Sequence, residues 1–308
     1  MVTGASGMLG ANLVLAALDR CEVIAHAYPP ALQPMGFSSL ASDLTAEGEA
    51  DRLIREVRPD WVVHCAAQAD VDACERNPSG AIRLNADLAG MVAQAAAQAG
   101  ARMAHISTDA VFDGRKGDYR EHDPPAPINQ YGLSKLMGEA AVARLHPRAA
   151  IVRTNFFTWP APGKLGLAGW FLERLEGGVS CAGFVDAHFS PLLGSTLAGI
   201  VLDLLTVGAG GVVHAASRTC LSKFDFGVRL AKAFSLDPSL IHPDRSSSAG
   251  LAAERGQRLC LNPGKLERVL GKRMPTVGEE LKRFRRERDG GLPDALRALR
   301  AGGPLEPA

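Results

Sequence analysis

Over its first half the chain alternates short apolar runs with stretches in helical spacing. Met1–Thr3 is a brief apolar start, and Met8–Arg20 carries apolar residues at a helical period. Glu22–Tyr28 reads as a strand, Glu47–Val57 as a helix and Trp61–Cys65 as a short buried strand. The pattern then predicts an alanine-rich helix over Ala81–Ala99, a strand over Met103–Ser107, a helix over Asn129–Leu145 and a strand over Ala149–Thr154. Short apolar strands separated by helices fit a parallel sheet covered on both faces, because each strand is then buried on two sides. The expected class is α/β, a doubly wound parallel sheet.

Beyond Thr154 the alternation weakens. Phe156–Gly169 is rich in proline, glycine and aromatic residues, and a change of domain is expected there. The division is residues 1–155 for the sheet domain and 156–308 for a smaller, C-terminal-weighted lobe. That second part mixes helices at Ser195–Thr206, Ser222–Phe234 and Val277–Glu287 with short strands at Val179–Phe184 and Val212–Ala215. Asp113–Pro127, charged and punctuated by glycine and proline, reads as a surface loop. The tail from Asp289 is expected to form a short helix and then become disordered. Only Met1–Thr3 precedes the first glycine, whereas a typical strand has ~5–6 residues. Either the first strand is unusually short or the chain starts late.

Composition narrows the class of partner. Lys and Arg total 34 against 33 Asp and Glu, a formal net charge of +1, so no nucleic-acid or membrane-surface partner is indicated. Cys21, Cys65, Cys74, Cys181, Cys220 and Cys260 are scattered without a C-x-x-C and are expected as buried free thiols in a reducing, cytoplasmic compartment. No apolar run reaches the ~20 residues that cross a bilayer, since Asp87, Gln94, Gln98 and Arg102 interrupt the nearest. A glycine loop beginning at Gly4 leaves no room for a signal peptide. The histidines lack ligand spacing, so no metal site is expected, and His64 and His105 read as satisfied polar residues of core strands.

Candidate chemistry begins at Tyr131-Gly132-Leu133-Ser134-Lys135, which puts a phenol and an ammonium on one helix face. Such an ammonium favours the phenolate and is expected to lower the phenol's pKa from its reference near ~10. The phenol then serves as a proton donor or acceptor. By itself this spacing also describes an ordinary amphipathic helix. Two companions change that balance. Gly4, Gly7 and Gly10 form G-x-x-G-x-x-G between an apolar strand and a helix, where backbone N–H groups can approach a pyrophosphate. Gly4, Ser6, Gly7, Met8 and Leu9 are thus the loop positions expected against NADP or NAD. Ser107-Thr108-Asp109 follows an apolar run upstream of the tyrosine and by itself reads as a helix cap. The second strand ends His26-Ala27-Tyr28-Pro29-Pro30, with neither an acid for a ribose 2′-hydroxyl nor an arginine for a 2′-phosphate, so the choice between the cofactors is not legible. Asp43 and Leu44 either border the adenine or belong to a helix cap.

With these parts in hand, the chain resembles the extended short-chain dehydrogenase/reductase superfamily, and within it the dTDP-4-dehydrorhamnose reductase-like, sugar-nucleotide-binding group. The residues carrying the likeness are Thr3–Gly10, His64–Ala67, Val71–Glu75, Asn85, Ile106–Gly114, Pro127–Glu139, Arg153–Asn155, Phe189–Leu192 and Leu221–Lys223. The resemblance implies a Rossmann-like NAD(P)-binding domain over residues 1–155 and a mainly substrate-binding lobe after it. It implies Tyr131 as general acid–base, with Lys135 lowering its pKa and holding the nicotinamide ribose. Thr108 would hydrogen-bond the reacting oxygen, Ala66 and Ala67 would pass their backbone close to the cofactor, and Asn85 would support the site. Asn155, Phe156, Pro191 and Arg255 are the expected substrate contacts.

Three departures from the group's pattern stand out. Phe156 occupies a position where these reductases often carry Trp. Phe184–Pro191 replaces the usual Asp-Gln-x-Gly-x-Pro-Thr region, and the late Arg-Pro pair appears as Arg255-Gly256. The expected activity is NAD(P)H-dependent reduction of a 4-keto nucleotide sugar. The alternatives are a nucleotide-sugar epimerase, and a non-catalytic NAD(P)-binding subunit like the β subunit of methionine adenosyltransferase. A dehydratase is disfavoured because Ala110 stands where that branch carries glutamate after Thr-Asp. Relatives lead one to expect a homodimer.

Overall fold

The structure is a computed structural model and describes residues 1–159 and 165–299. The tail expected to be disordered falls mostly outside the described residues; the short helix expected before it spans Leu292–Ala298.

Six strands of the N-terminal half are Val2–Thr3 (β1), Ile24–Ala27 (β2), Ser38–Ala41 (β3), Trp61–His64 (β4), Arg102–Ile106 (β5) and Ala150–Thr154 (β6). Together with Gly211–Ala215 they make one seven-stranded sheet in the order Gly211–Ala215, β6, β5, β4, β1, β2, β3. Every pairing is parallel. β1 lies between β2 and β4, where the winding reverses, and ligands of open α/β sheets bind beyond the strand ends at such a point. The fold is Rossmann-like, as the sequence implies.

The helices are Met8–Ala17 (α1), Glu49–Val57 (α2), Val71–Arg76 (α3), Pro78–Ile82 (α4), Leu88–Gln98 (α5) and Gln130–Leu145 (α6). One apolar cluster joins α1 to Gly194–Val207 on one face of the sheet, and another joins α2, α5 and Val142 of α6 on the other. The small residues of α5 allow this second layer to pack closely: Ala89, Val92, Ala93 and Ala96 are all fully covered.

Three elements differ from the sequence reading. β3 has no apolar run, because Ser38–Ala41 lies at the open edge and is only partly covered. The alanine-rich helix is broken into α4, a π-helical turn at Arg83–Asp87, and α5. Gly211–Ala215 returns to the main sheet beside β6, so the sheet draws on chain from both sides of residue 155. The loop Asp113–Pro127 is anchored rather than loose: Tyr119 is buried and stacks on Phe112 with ring centroids 4.2 Å apart.

The cysteine expectation also needs correcting. Cys220 and Cys260 form a disulfide, while Cys21, Cys65, Cys74 and Cys181 are free. Forty positions separate the pair in sequence, and only the packing of two late segments brings them together.

Candidate active site

Gly4 begins the site. It follows β1 with φ +69°, and a Cβ there would sit 2.5 Å from the Ala66 nitrogen. A Cβ on Gly10 would lie 2.2 Å from the Gly4 carbonyl oxygen, so α1 starts tight against the strand only because both are glycine. Gly7 is the N-cap of α1 and supplies no side-chain acceptor, leaving the first-turn N–H groups directed at an anion. In front of this turn lies a cavity of about 490 Å³. Gly4, Ser6, Gly7, Asp43, Leu44, Ala66 and Ala67 line it, as predicted for a dinucleotide. Met8, Leu9, Asn85, Tyr131 and Lys135 are not among its lining residues.

Further lining comes from His26 and Tyr28 at the strand end and from Ser42, Thr45 and Arg83, which the sequence reading did not assign to the cofactor. They stand toward the β2–β3 side, where an adenosine would lie. His26 Nε2 and Ser42 Oγ are 3.0 Å apart, and Arg83 donates to Thr45 Oγ1 at 2.8 Å. Asp43 both lines the cavity and closes a local turn, accepting from the Thr45 N–H at 2.9 Å. Those Thr45 hydrogen bonds hold its carboxyl below the ordinary range. The backbone turn, the apolar floor and the small residues at Ala66 and Ala67 fit NAD or NADP. When bound, the nicotinamide of either supplies a hydride.

Thr108, Tyr131 and Lys135 gather at the carboxyl end of β5. Thr108 is buried and caps the short 3₁₀ turn Asp109–Val111, its Oγ1 accepting from the Ala110 N–H at 3.1 Å. The same hydroxyl donates to Asp109 Oδ1 at 3.2 Å, and Thr108 acts on the Tyr131 phenol to lower its pKa. Lys135 is buried one turn along α6 and donates to the Ile106 carbonyl at 2.6 Å. Burial pulls its pKa down to about 8, against the opposing pull of Glu139 and Cys65.

The expected lowering of the Tyr131 pKa does not hold. Burial pushes this phenol up to about 12, which the Thr108 hydrogen bond only partly offsets, and the Asp109 and Cys74 charges push the same way. The Lys135 ammonium donates to the Ile106 carbonyl, and desolvation outweighs every favourable influence on the phenol. Tyr131 therefore rests as a protonated phenol near neutral pH, suited to donating a proton.

Asn85 lies in the π turn and works as a brace. Its side chain accepts from the Gln68 N–H at 2.8 Å and donates to the Gln68 carbonyl at 3.0 Å and to Ser134 Oγ at 2.9 Å. It thus fixes the Ala66–Gln68 turn to α6. The register of α6 is set by close backbone approach: a Cβ on Gly132 would lie 2.1 Å from the Ala110 carbonyl oxygen, and one on Gly138 2.1 Å from that of Asn85.

The expected substrate contacts lie on both sides of the boundary at residue 155. Asn155 donates to Asp109 Oδ2 at 2.8 Å, and Asp109, buried next to Thr108, is raised to about 6 chiefly by desolvation. Arg255 pairs with Asp72 at 3.0 Å. Phe156 is half-buried in a short strand paired with Leu192–Leu193, and Pro191 is buried beside it. A cation missed in the sequence, Lys223, stands 5.7 Å from the centre of the Phe184 ring. Its pKa is lowered by burial and by Arg255, while Asp109 and Asp186 oppose that shift. The motif Leu221-Ser222-Lys223 was the available signal; the Ser222 cap at the helix start places the lysine.

His64 and His105 are buried and stacked 5.5 Å apart. Thr3 Oγ1 reaches His64 Nδ1 at 2.7 Å, but His64 Nε2 and both His105 nitrogens lack partners, so the pair is not satisfied as expected. Among the described residues, no His/Cys/Asp/Glu group has a metal-holding arrangement, and no helix is long and apolar enough to cross a membrane.

Comparison with known proteins agrees with this geometry. The family model described as "RmlD substrate binding domain" matches residues 1–289. The chain is 33% identical over 285 residues to a "probable low-salt glycan biosynthesis reductase Agl14" of Haloferax volcanii, covering 91% of this chain and 95% of that one. It is 34% identical to a dTDP-4-dehydrorhamnose reductase of Mycobacterium tuberculosis, covering 85% and 84%. It is also 31% identical to the β subunit of methionine adenosyltransferase 2 from Pongo abelii, covering 72% and 69%. A dTDP-4-dehydrorhamnose reductase from Bacillus anthracis, solved in complex with NADP, superposes with a TM-score of 0.80 at 27% identity, covering 93% of this chain and 98% of that one.

Proposed function

Because this chain belongs to the RmlD substrate binding domain family, we propose that it reduces the keto group of a 4-keto nucleotide sugar, with the hydride drawn from NADPH or NADH. The protein is an NAD(P)-dependent oxidoreductase of the sugar-nucleotide class. The observation that carries the finer reading is the gathering of Thr108, Tyr131 and Lys135 at the carboxyl end of β5, where Gly132 sets α6 against the Ala110 carbonyl and Lys135 donates to that of Ile106. The Gly4–Gly7 turn and the Ala66–Ala67 backbone hold the cofactor. Thr108 steadies the sugar oxygen as it gains charge, and Tyr131 donates its proton to that oxygen. Lys135 keeps a positive charge beneath this exchange and orients the nicotinamide ribose. Asn155, Phe156, Pro191 and Arg255 form the sugar side, and Phe156 is the position expected to set sugar choice.

The similarity to a methionine adenosyltransferase β subunit supports a second reading, a cofactor-binding subunit without turnover. One experiment separates the two. Purified protein is offered 4-keto nucleotide sugars with NADPH or NADH, and cofactor oxidation is followed by absorbance. Turnover that falls about 10²–10⁴-fold in Tyr131→Phe, with cofactor affinity unchanged, supports the reductase. Cofactor binding with no turnover on any such sugar overturns it in favour of the subunit.

A cytoplasmic homodimer completes the reading. Leu133 and Met137, on one face of α6, and Met91 on α5 are exposed at 40, 41 and 40%. We assign that face to a second copy of the chain; sedimentation showing a monomer at micromolar concentration would reject it.

A further inference from the structure

Residues Ala253–Asn262 cross from the catalytic helix to residues 188–190 as a strap. At its start the Ala253 N–H donates to Asp72 Oδ1 at 2.9 Å, and the Glu254 carbonyl accepts from Asn129 Nδ2 at 2.8 Å. Asn129 is the N-cap of α6, so the strap rests on the helix bearing Tyr131 and Lys135. Farther along, the Gln257 carbonyl accepts from the His188 N–H at 2.7 Å, and the Arg258 N–H donates to the Gly114 carbonyl at 2.8 Å. The Leu261 N–H reaches Ser190 Oγ at 2.9 Å. All of these ties are non-covalent, each with a modest net contribution.

One tie is covalent. Cys260 is buried in the strap and bonded to Cys220, which is exposed. Cys220 immediately precedes Leu221–Ser222, which pairs antiparallel with His188–Phe189, and Lys223 opens the helix that follows. The bond therefore couples the segment carrying Arg255 to the one carrying Lys223, from opposite sides of the His188–Phe189 strand.

We propose that Cys220–Cys260 is a thiol–disulfide exchange site that takes a dithiol reductant, and that its state sets how firmly the strap closes the sugar side of the cleft. The assignment of Arg255 to that side rests on the proposed function. A thiolate of the reductant attacks the sulfur of Cys220, the exposed residue of the pair, forming a mixed disulfide and expelling the Cys260 thiolate, which takes up a proton. The second thiol of the reductant then displaces Cys220. The reductant leaves as its own disulfide, and two electrons and two protons have passed to the protein. The strap keeps its hydrogen bonds but loses the tie that limits its excursions. The cofactor cavity is lined by residues between Gly4 and Leu88, none of which belongs to the strap.

The test uses the full chain, purified without reductant and then treated with dithiothreitol. Alkylation and mass spectrometry are expected to find four free thiols before treatment, at Cys21, Cys65, Cys74 and Cys181, with Cys220 and Cys260 joining them afterwards. Reduction is expected to speed hydrogen exchange at backbone amides of the strap. It should also raise KM for the sugar nucleotide about tenfold, the scale of one lost constraint, with kcat and NADP affinity unchanged. Cys220→Ser and Cys260→Ser should reproduce the reduced state and ignore dithiothreitol; if either variant fails to fold, the wild-type titration alone decides. Air-oxidised protein without the Cys220–Cys260 bond overturns the proposal, as does reduction that leaves strap exchange unchanged. Absence of turnover on any keto-sugar would count against the proposed function alone, because the thiol and exchange measurements still decide the clasp.

Discussion

Lys135 illustrates how burial, more than neighbouring charge, tunes a residue here. With a pKa of about 8 it is charged below that pH and neutral above it. If its charge is needed, kcat/KM for reduction falls as pH rises through about 8, and Lys135→Arg, which cannot lose its proton, flattens that limb even where it slows the reaction. A falling limb that persists in the arginine variant assigns it to another group. The same shift affects stability. Between about 8 and the ordinary lysine value of 10.5 the unfolded chain holds a proton that the folded chain has released, so this group's penalty is full below 8 and eases as pH rises. Gly4 gives the second residue-scale prediction. Gly4→Ala combines a positive φ with a backbone clash at Ala66 and is expected to weaken NADP binding at least tenfold by titration calorimetry. The glycine spacing was readable in the chain. The rise in the Tyr131 pKa was not, because desolvation depends on which atoms close over the ring.

At the scale of elements, α6 is the part on which the site depends. The Tyr-x-x-x-Lys spacing forecasts a shared face, but Gly132 and Gly138 decide how close that face comes to β5 and the π turn. Glu139 then locks the helix: it accepts three hydrogen bonds from Arg153 of β6, with the shortest contact 2.7 Å and both side chains about 4–5% exposed. Removing one partner leaves the other charge buried. Glu139→Gln should therefore cost about 3–5 kcal/mol in urea denaturation, whereas replacing both residues by apolar ones of similar volume recovers much of that loss. A cost below about 1 kcal/mol would mean the pair is hydrated and does not fix the helix. Both residues fall in segments that carry the family likeness, but their pairing was not legible, since nothing local links Glu139 to Arg153.

On the scale of the whole molecule, the two halves interlock. Gly211–Ala215 extends the main sheet, Asn155 reaches Asp109, and the strap ties back to α3 and α6. Cofactor binding should therefore stabilise the entire fold, by about 2.7 kcal/mol at a concentration 100 times Kd, read as a single shifted thermal transition. Two resolved transitions, only one of them moving with NADP, would show that the halves melt separately.

The sequence alone determined the local features: the strand–helix alternation, the glycine turn and the helical face bearing Tyr131 and Lys135. Each rests on residues a few positions apart, whose backbone preferences and spacing act without knowledge of the rest of the chain. The tertiary structure decided what depends on distant partners. It paired Cys220 with Cys260, brought Gly211–Ala215 to β6, set Lys223 near Asp109, and raised the Tyr131 pKa. Desolvation and long-range contact are properties of the packed chain, and no segment carries them before packing.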